Sequence, residues 1–143
     1  MLKIYQKYLI NKLTKTFFFI FFIFFTLVFI MGVIQELNFF SDKDVSFYFP
    51  FFLVFLNLPS ILYEILPFII ILALIILIID LNENGELITF KNNGLHNSKI
   101  LQTLSLASFI LGLLIMLIFY NISAILKFNY LSLKQNYTND SKY

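Results

Sequence analysis

Few side chains in this sequence could do chemistry, and their spacing reduces them further. The one histidine, His96, has no second histidine, cysteine or carboxylate pair at metal-ligand spacing, and reads as a plain loop residue. There is no cysteine, so no thiolate nucleophile, thiolate metal site or disulfide framework is available. The eight acidic residues are split among segments on either side of long apolar runs, which leaves no carboxylate pair for acid–base work. Glycines 32, 85, 94 and 112 form no phosphate loop. No catalytic residue, metal or cofactor is therefore expected, and the chain is not expected to be an enzyme. Two carboxylates stand out. Glu64 is the only acidic residue well inside an apolar run, where a carboxylate is by default a candidate for proton or substrate handling. It follows Pro59 by five residues and sits beside Tyr63, so the alternatives are a wetted interfacial side chain and a group facing a lipid cavity.

The second carboxylate, Glu86, lies in the polar stretch "NENGELITFKNNGLHNSK", Asn82 to Lys99. Asn84 is a plausible N-cap, which places Glu86 in a first helical turn, where the helix dipole favours a negative charge. Leu87, Phe90 and Lys91 follow at i, i+3 and i+4 and share one face. Asn93-Gly94 is a strong helix stop. The pattern predicts a short amphipathic helix of about two turns. Such a helix could be a turn lying flat on lipid, or a plug that fits a partner's groove. In the second case a lone carboxylate beside apolar side chains on a short rigid helix offers the partner both an electrostatic register and a knob.

The elements that must position these residues are membrane helices. The 143 residues are 60% hydrophobic and 13% charged, with a mean hydropathy of +0.89, and a soluble domain of this size needs far more polar surface. The net charge of +2 implies no nucleic-acid partner. The apolar runs predict an all-α integral membrane domain with spans at about 17–34, 58–80 and 100–122, and with segment 82–99 between the second and third. The first run is read as a retained helix, because no small-residue cleavage site follows "MGVIQEL". Pro59 suits the first turn of the second span, and Pro67 is expected to kink it. Residues 35–57 hold "SDKD" at 41–44 and "FYFPFFLVF" at 47–55, split by Pro50. They read as an interfacial segment with Tyr48 near the head groups. Ser98 or Asn97 is expected to cap the third span. Gly32 and Gly112 are expected to allow close helix approach.

Lysines set the orientation. Lys3, Lys7, Lys12, Lys15, Lys91 and Lys99 fall on one side, and Lys43, Lys127, Lys134 and Lys142 on the other. This predicts a cytoplasmic N-terminus and a cytoplasmic 82–99 segment. Residues 35–57 and the tail 127–143 then face outward, and the tail lysines could touch anionic head groups, although a solvated tail is the favoured reading.

The stretch "LNLPSILYEILPFIIILALIILIIDLNENGELITFKNNGLHNSKI" resembles the second membrane helix and coupling segment of the lipopolysaccharide-export permeases, the LptF/LptG family. The residues that carry the resemblance are Leu58-Pro59, Leu66-Pro67, Glu86-Leu87 and Gly94, together with "YQKYLI" and the Phe-rich first run. LptG is the preferred branch. The resemblance implies a permease subunit of an ABC transporter in the bacterial inner membrane. Its partners would be a cytoplasmic ABC ATPase, a second permease subunit, a periplasmic bridge protein and lipopolysaccharide. It assigns Glu86 to a basic residue of the ATPase, makes Leu87 and Phe90 the anchors, and places Lys91 where many members have arginine. A lysine there keeps the charge and loses bidentate geometry.

The sequence also departs from the family pattern. "NISAILKF" lacks the proline expected near the end of the third helix. Gln35 and Glu36 stand where basic residues often meet lipid phosphates. The family's periplasmic jellyroll and last three helices are not in the sequence, so it reads as the N-terminal portion of a longer permease. The rival reading is a small stand-alone membrane scaffold or assembly protein with no transport role.

Overall fold

The computed structural model describes residues 3–41 and 45–139. Lys43 and Lys142, which enter the lysine count above, lie outside the described residues. Among the described residues there are four helices: α1 (Ile4–Phe39), α2 (Tyr48–Glu83), α3 (Glu86–Asn92) and α4 (Asn97–Asn139). Three of them, α1, α2 and α4, are long and apolar enough to cross a membrane, as the runs predict. A 36-residue helix such as α1 is about 54 Å long, well beyond the roughly 30 Å of hydrocarbon. Polar side chains on these helices are satisfied internally: Thr14 donates to the Ile10 carbonyl at 2.9 Å and Ser108 to the Ser105 carbonyl at 2.9 Å.

Three local expectations need correction. The aromatic stretch 47–55 is not a separate interfacial segment, because α2 begins at Tyr48 and runs through it. Pro50 falls in the first turn of α2, where its missing N–H is not needed. Pro59 accordingly lies inside the helix, and like Pro67 it removes one bond from the ladder. At the start of α4 the N–H groups of Lys99 and Ile100 donate to the carbonyl of His96, so the cap position falls at His96, one or two residues before the predicted caps Asn97 and Ser98. Residues 127–139 are helical rather than a free tail.

The chain divides into two compact units. The first holds Met1–Phe22 and Leu66–Leu114. Its core is three pairs at i, i+4 spacing, one from each long helix: Leu9 and Leu13, Leu77 and Leu81, Ile100 and Leu104. Leu87 and Phe90 of α3 pack at its margin. Here Gly112 lets α4 approach Ile70, whose Cδ1 would stand 3.0 Å from an added Cβ.

The second unit holds Ile23–Ile65 and Ile115–Tyr143. Phe40, Leu53, Leu56 and Tyr130 form its core. The Phe40 ring meets Phe49 at 5.5 Å and Tyr137 at 5.6 Å, both edge to face. Gly32 faces Val54, whose Cγ1 would stand 3.0 Å from an added Cβ. Glu36 is only 4% exposed, yet it is fully partnered. Lys134 Nζ donates to its two oxygens at 2.8 and 3.0 Å, and Tyr130 Oη donates at 2.7 Å. A solvated tail is thus corrected at Lys134, whose ammonium also lies 4.4 Å from the Phe39 ring centre.

Candidate functional site

The site is built around α3 in the first unit. Its start differs from the prediction. Asn84 donates its side-chain amide to Asp80 Oδ1 at 2.9 Å, so it is not the cap. Gly85 takes that place with φ +68°, a conformation open to glycine at little cost, and its carbonyl accepts from the Thr89 N–H at 3.1 Å. Glu86 therefore opens the first turn, as expected. The end matches the prediction and closes as a Schellman motif. The Leu95 N–H donates to the Phe90 carbonyl at 3.0 Å and the Gly94 N–H to the Lys91 carbonyl at 2.9 Å, with Gly94 at φ +79°. The seven-residue helix thus hangs between two left-handed glycines.

The side chain of Glu86 turns toward α1. Lys12 Nζ lies 2.7 Å from its Oε1, and Tyr8 Oη donates to its Oε2 at 3.0 Å. The same Lys12 ammonium lies 2.6 Å from Asp80 Oδ2 at the end of α2. One cation therefore serves two carboxylates on two helices. Burial works against the Lys12 charge, but the hydrogen bonds to Asp80 and then Glu86 outweigh it and hold its pKa above the usual lysine value. Lys12 lies before the apolar run 17–34. The Tyr8 ring completes the joint by meeting Phe90 at 6.2 Å, edge to face.

Of the predicted residues, Glu86, Leu87 and Phe90 come together on the inner side of α3. Lys91 is exposed in its last turn, where the helix dipole favours a cation. Gly94 ends the helix. Ile88 is the outward apolar residue of α3, at 59% exposed. An open cavity of about 800 Å³ runs alongside, lined by Tyr5 and Tyr8 of α1 and by Glu86, Phe90 and Asn93. Glu64 is elsewhere, in the second unit, exposed and 3.4 Å from Lys127 Nζ. His96 is exposed, and no metal-binding group of His, Asp or Glu is found among the described residues.

Sequence reasoning missed Tyr8, Lys12, Asp80 and Ile88. The signal for the ion cluster was present: Lys12 shortly precedes the first apolar run and Asp80 closes the second, so opposite charges meet at one polar boundary. Ile88 was missed because helical spacing gave weight to Leu87 and Phe90.

Comparisons with curated proteins and with solved structures give no match. The model of the family described as "Lipopolysaccharide export system permease LptF/LptG" matches residues 7–143, without separating the two branches. A match over nearly the whole sequence, together with three helices long and apolar enough to cross a membrane, makes this a multi-pass inner-membrane protein of the lipopolysaccharide export permease family LptF/LptG.

Proposed function

We propose that the chain is a permease subunit that couples a cytoplasmic ABC ATPase to extraction of lipopolysaccharide from the inner membrane. It pairs with a second permease subunit, and the lipid passes onward to a periplasmic bridge protein. The ATPase engages the 82–99 segment. The lysine bias supports a cytoplasmic side for that segment and for the N-terminus, and a periplasmic side for the far end of α4. Glu64 and Lys127, an exposed pair, would meet the lipid head group.

The observation that carries this reading is α3 itself. A seven-residue helix bounded by two glycines at positive φ, with one large apolar side chain outward, suits a partner's groove better than a plain connection does. Ile88 and Lys91 form its outward face. Glu86 holds it from behind.

The test is co-purification of the ATPase with the membrane complex. Ile88→Asp should reduce the recovered ATPase about tenfold or more while the chain reaches the membrane at its usual level. Full recovery of the ATPase with this variant would count against the coupling role and favour a scaffold.

A further inference from the structure

We propose that Lys12 is a positioning residue that clasps the Gly85 joint, so that α1 and the end of α2 move with α3 when α3 is pushed. The push rests on the coupling reading above; the clasp does not.

The joint needs a clasp. Helix α3 is tied to α2 through Gly85 and to α4 through Gly94, both at positive φ. An added Cβ at either glycine would meet nothing within 4 Å, so the joints themselves are held by backbone hydrogen bonds and not by side-chain packing. A glycine joint in open space turns more readily than a packed one. Asp80 lies before the Gly85 joint and Glu86 lies after it. A single ammonium, held 2.6 Å from one and 2.7 Å from the other, spans the joint and fixes its angle. The ammonium belongs to α1, so the same two bonds bring a third helix into the assembly. Asn84, within the joint, adds its own bond to the other oxygen of Asp80. Tyr8, one turn before Lys12, takes the second oxygen of Glu86. Lys12 retains a modest exposure, so the clasp sits at a polar boundary where charges keep their value without deep burial.

The clasp predicts where a stroke goes. Without it, α3 is tied to α1 only by Tyr8 and by the packing of Leu87 and Phe90, and more of its displacement is lost in rotation about the two glycines. With it, α1 receives the displacement directly. A cavity beside α3 leaves room for such a movement.

The absence of native cysteine makes the test direct. Spin labels are placed on the exposed positions Asn11→Cys of α1 and Asn92→Cys of α3, and the distance distribution is read in membranes without the ATPase. The labelled parent should give one narrow distance. Lys12→Met should at least double its width, and Lys12→Arg, which retains a cation that reaches both carboxylates, should restore it. Asp80→Asn, which leaves the Lys12–Glu86 bond in place, should broaden it as well, and it decides the matter if Lys12→Met fails to insert. A width unchanged in both Lys12→Met and Asp80→Asn overturns the clasp. With the ATPase added, Lys12→Met should still recover it yet lose ATP-driven lipid release about tenfold. Failure of the ATPase to bind even the parent would sink the coupling reading and leave the width comparison to judge Lys12 alone.

Discussion

Lys12 and Glu86, 74 residues apart in the sequence, meet at 2.7 Å between Nζ and Oε1. The contact joins the N-terminal turns of α1 to the first turn of α3. Neither residue is deeply buried, with side-chain exposures of 20% and 26%. A double-mutant cycle with Lys12→Met and Glu86→Gln should give a coupling energy of about 1 kcal/mol, above the median for a fully exposed pair. Unfolding in detergent micelles measures it, and additive losses would show that the two charges act independently.

The two glycines flanking α3 should differ from glycines elsewhere in how they respond to alanine. At Gly85 and Gly94 the backbone is left-handed and space is open, so the cost of Gly→Ala is one of conformation alone, about 1–2 kcal/mol at each site. Gly94→Asn should cost less, because asparagine tolerates this region. Amide exchange in α3 should accelerate accordingly, and equal rates for Gly94→Ala and Gly94→Asn would contradict the account.

Within the membrane helices the same substitution should separate two sites. Both Gly32 and Gly112 would bring a Cβ to 3.0 Å from a neighbour. At Gly112 that neighbour is the far end of flexible Ile70, which can turn aside. At Gly32 it is Val54, branched at Cβ and stiff at χ1. Gly112→Ala should be neutral or gain up to about 1 kcal/mol from helix propensity. Gly32→Ala should be less favourable, and Gly32→Leu should lose about 1–3 kcal/mol. Thermal melts of the three variants in one detergent give the order.

Removing one partner of the buried pair in the second unit should be costly. Lys134→Met leaves the Glu36 carboxylate, 4% exposed, with Tyr130 alone to hold it among the described residues, and should destabilise by about 3–5 kcal/mol. The double variant Glu36→Gln/Lys134→Met should recover much of that loss. If the single and double variants melt alike, the burial of Glu36 does not carry the energy assigned to it.

Apolar runs and lysines made the three membrane helices legible in the sequence, because every polar backbone group in such a run must be satisfied within the helix. The end of α3 was legible for a local reason, the Asn93-Gly94 pair. Its start was misplaced by one residue because the Asn84 amide is drawn to Asp80 rather than to α3. The start of α2 was misread because Pro50 and Pro59 are each compatible with a first turn, and only the packing of Phe49 against Phe40 and Tyr137 decides between them. Glu86 was visible as a candidate, but its partners Lys12 and Tyr8 lie more than seventy residues away, and no periodicity reports a contact of that separation. The same holds for Lys134, which reads in the sequence as one lysine of a polar tail until the helix brings it to Glu36.

The separation of 98 positions between Glu36 and Lys134 also sets an order of events during synthesis. At roughly 5–20 residues per second, the ribosome makes Lys134 about 5–20 s after Glu36. Through that interval the first helix carries a carboxylate with neither its cation nor Tyr130. The second unit is therefore completed only when α4 is delivered.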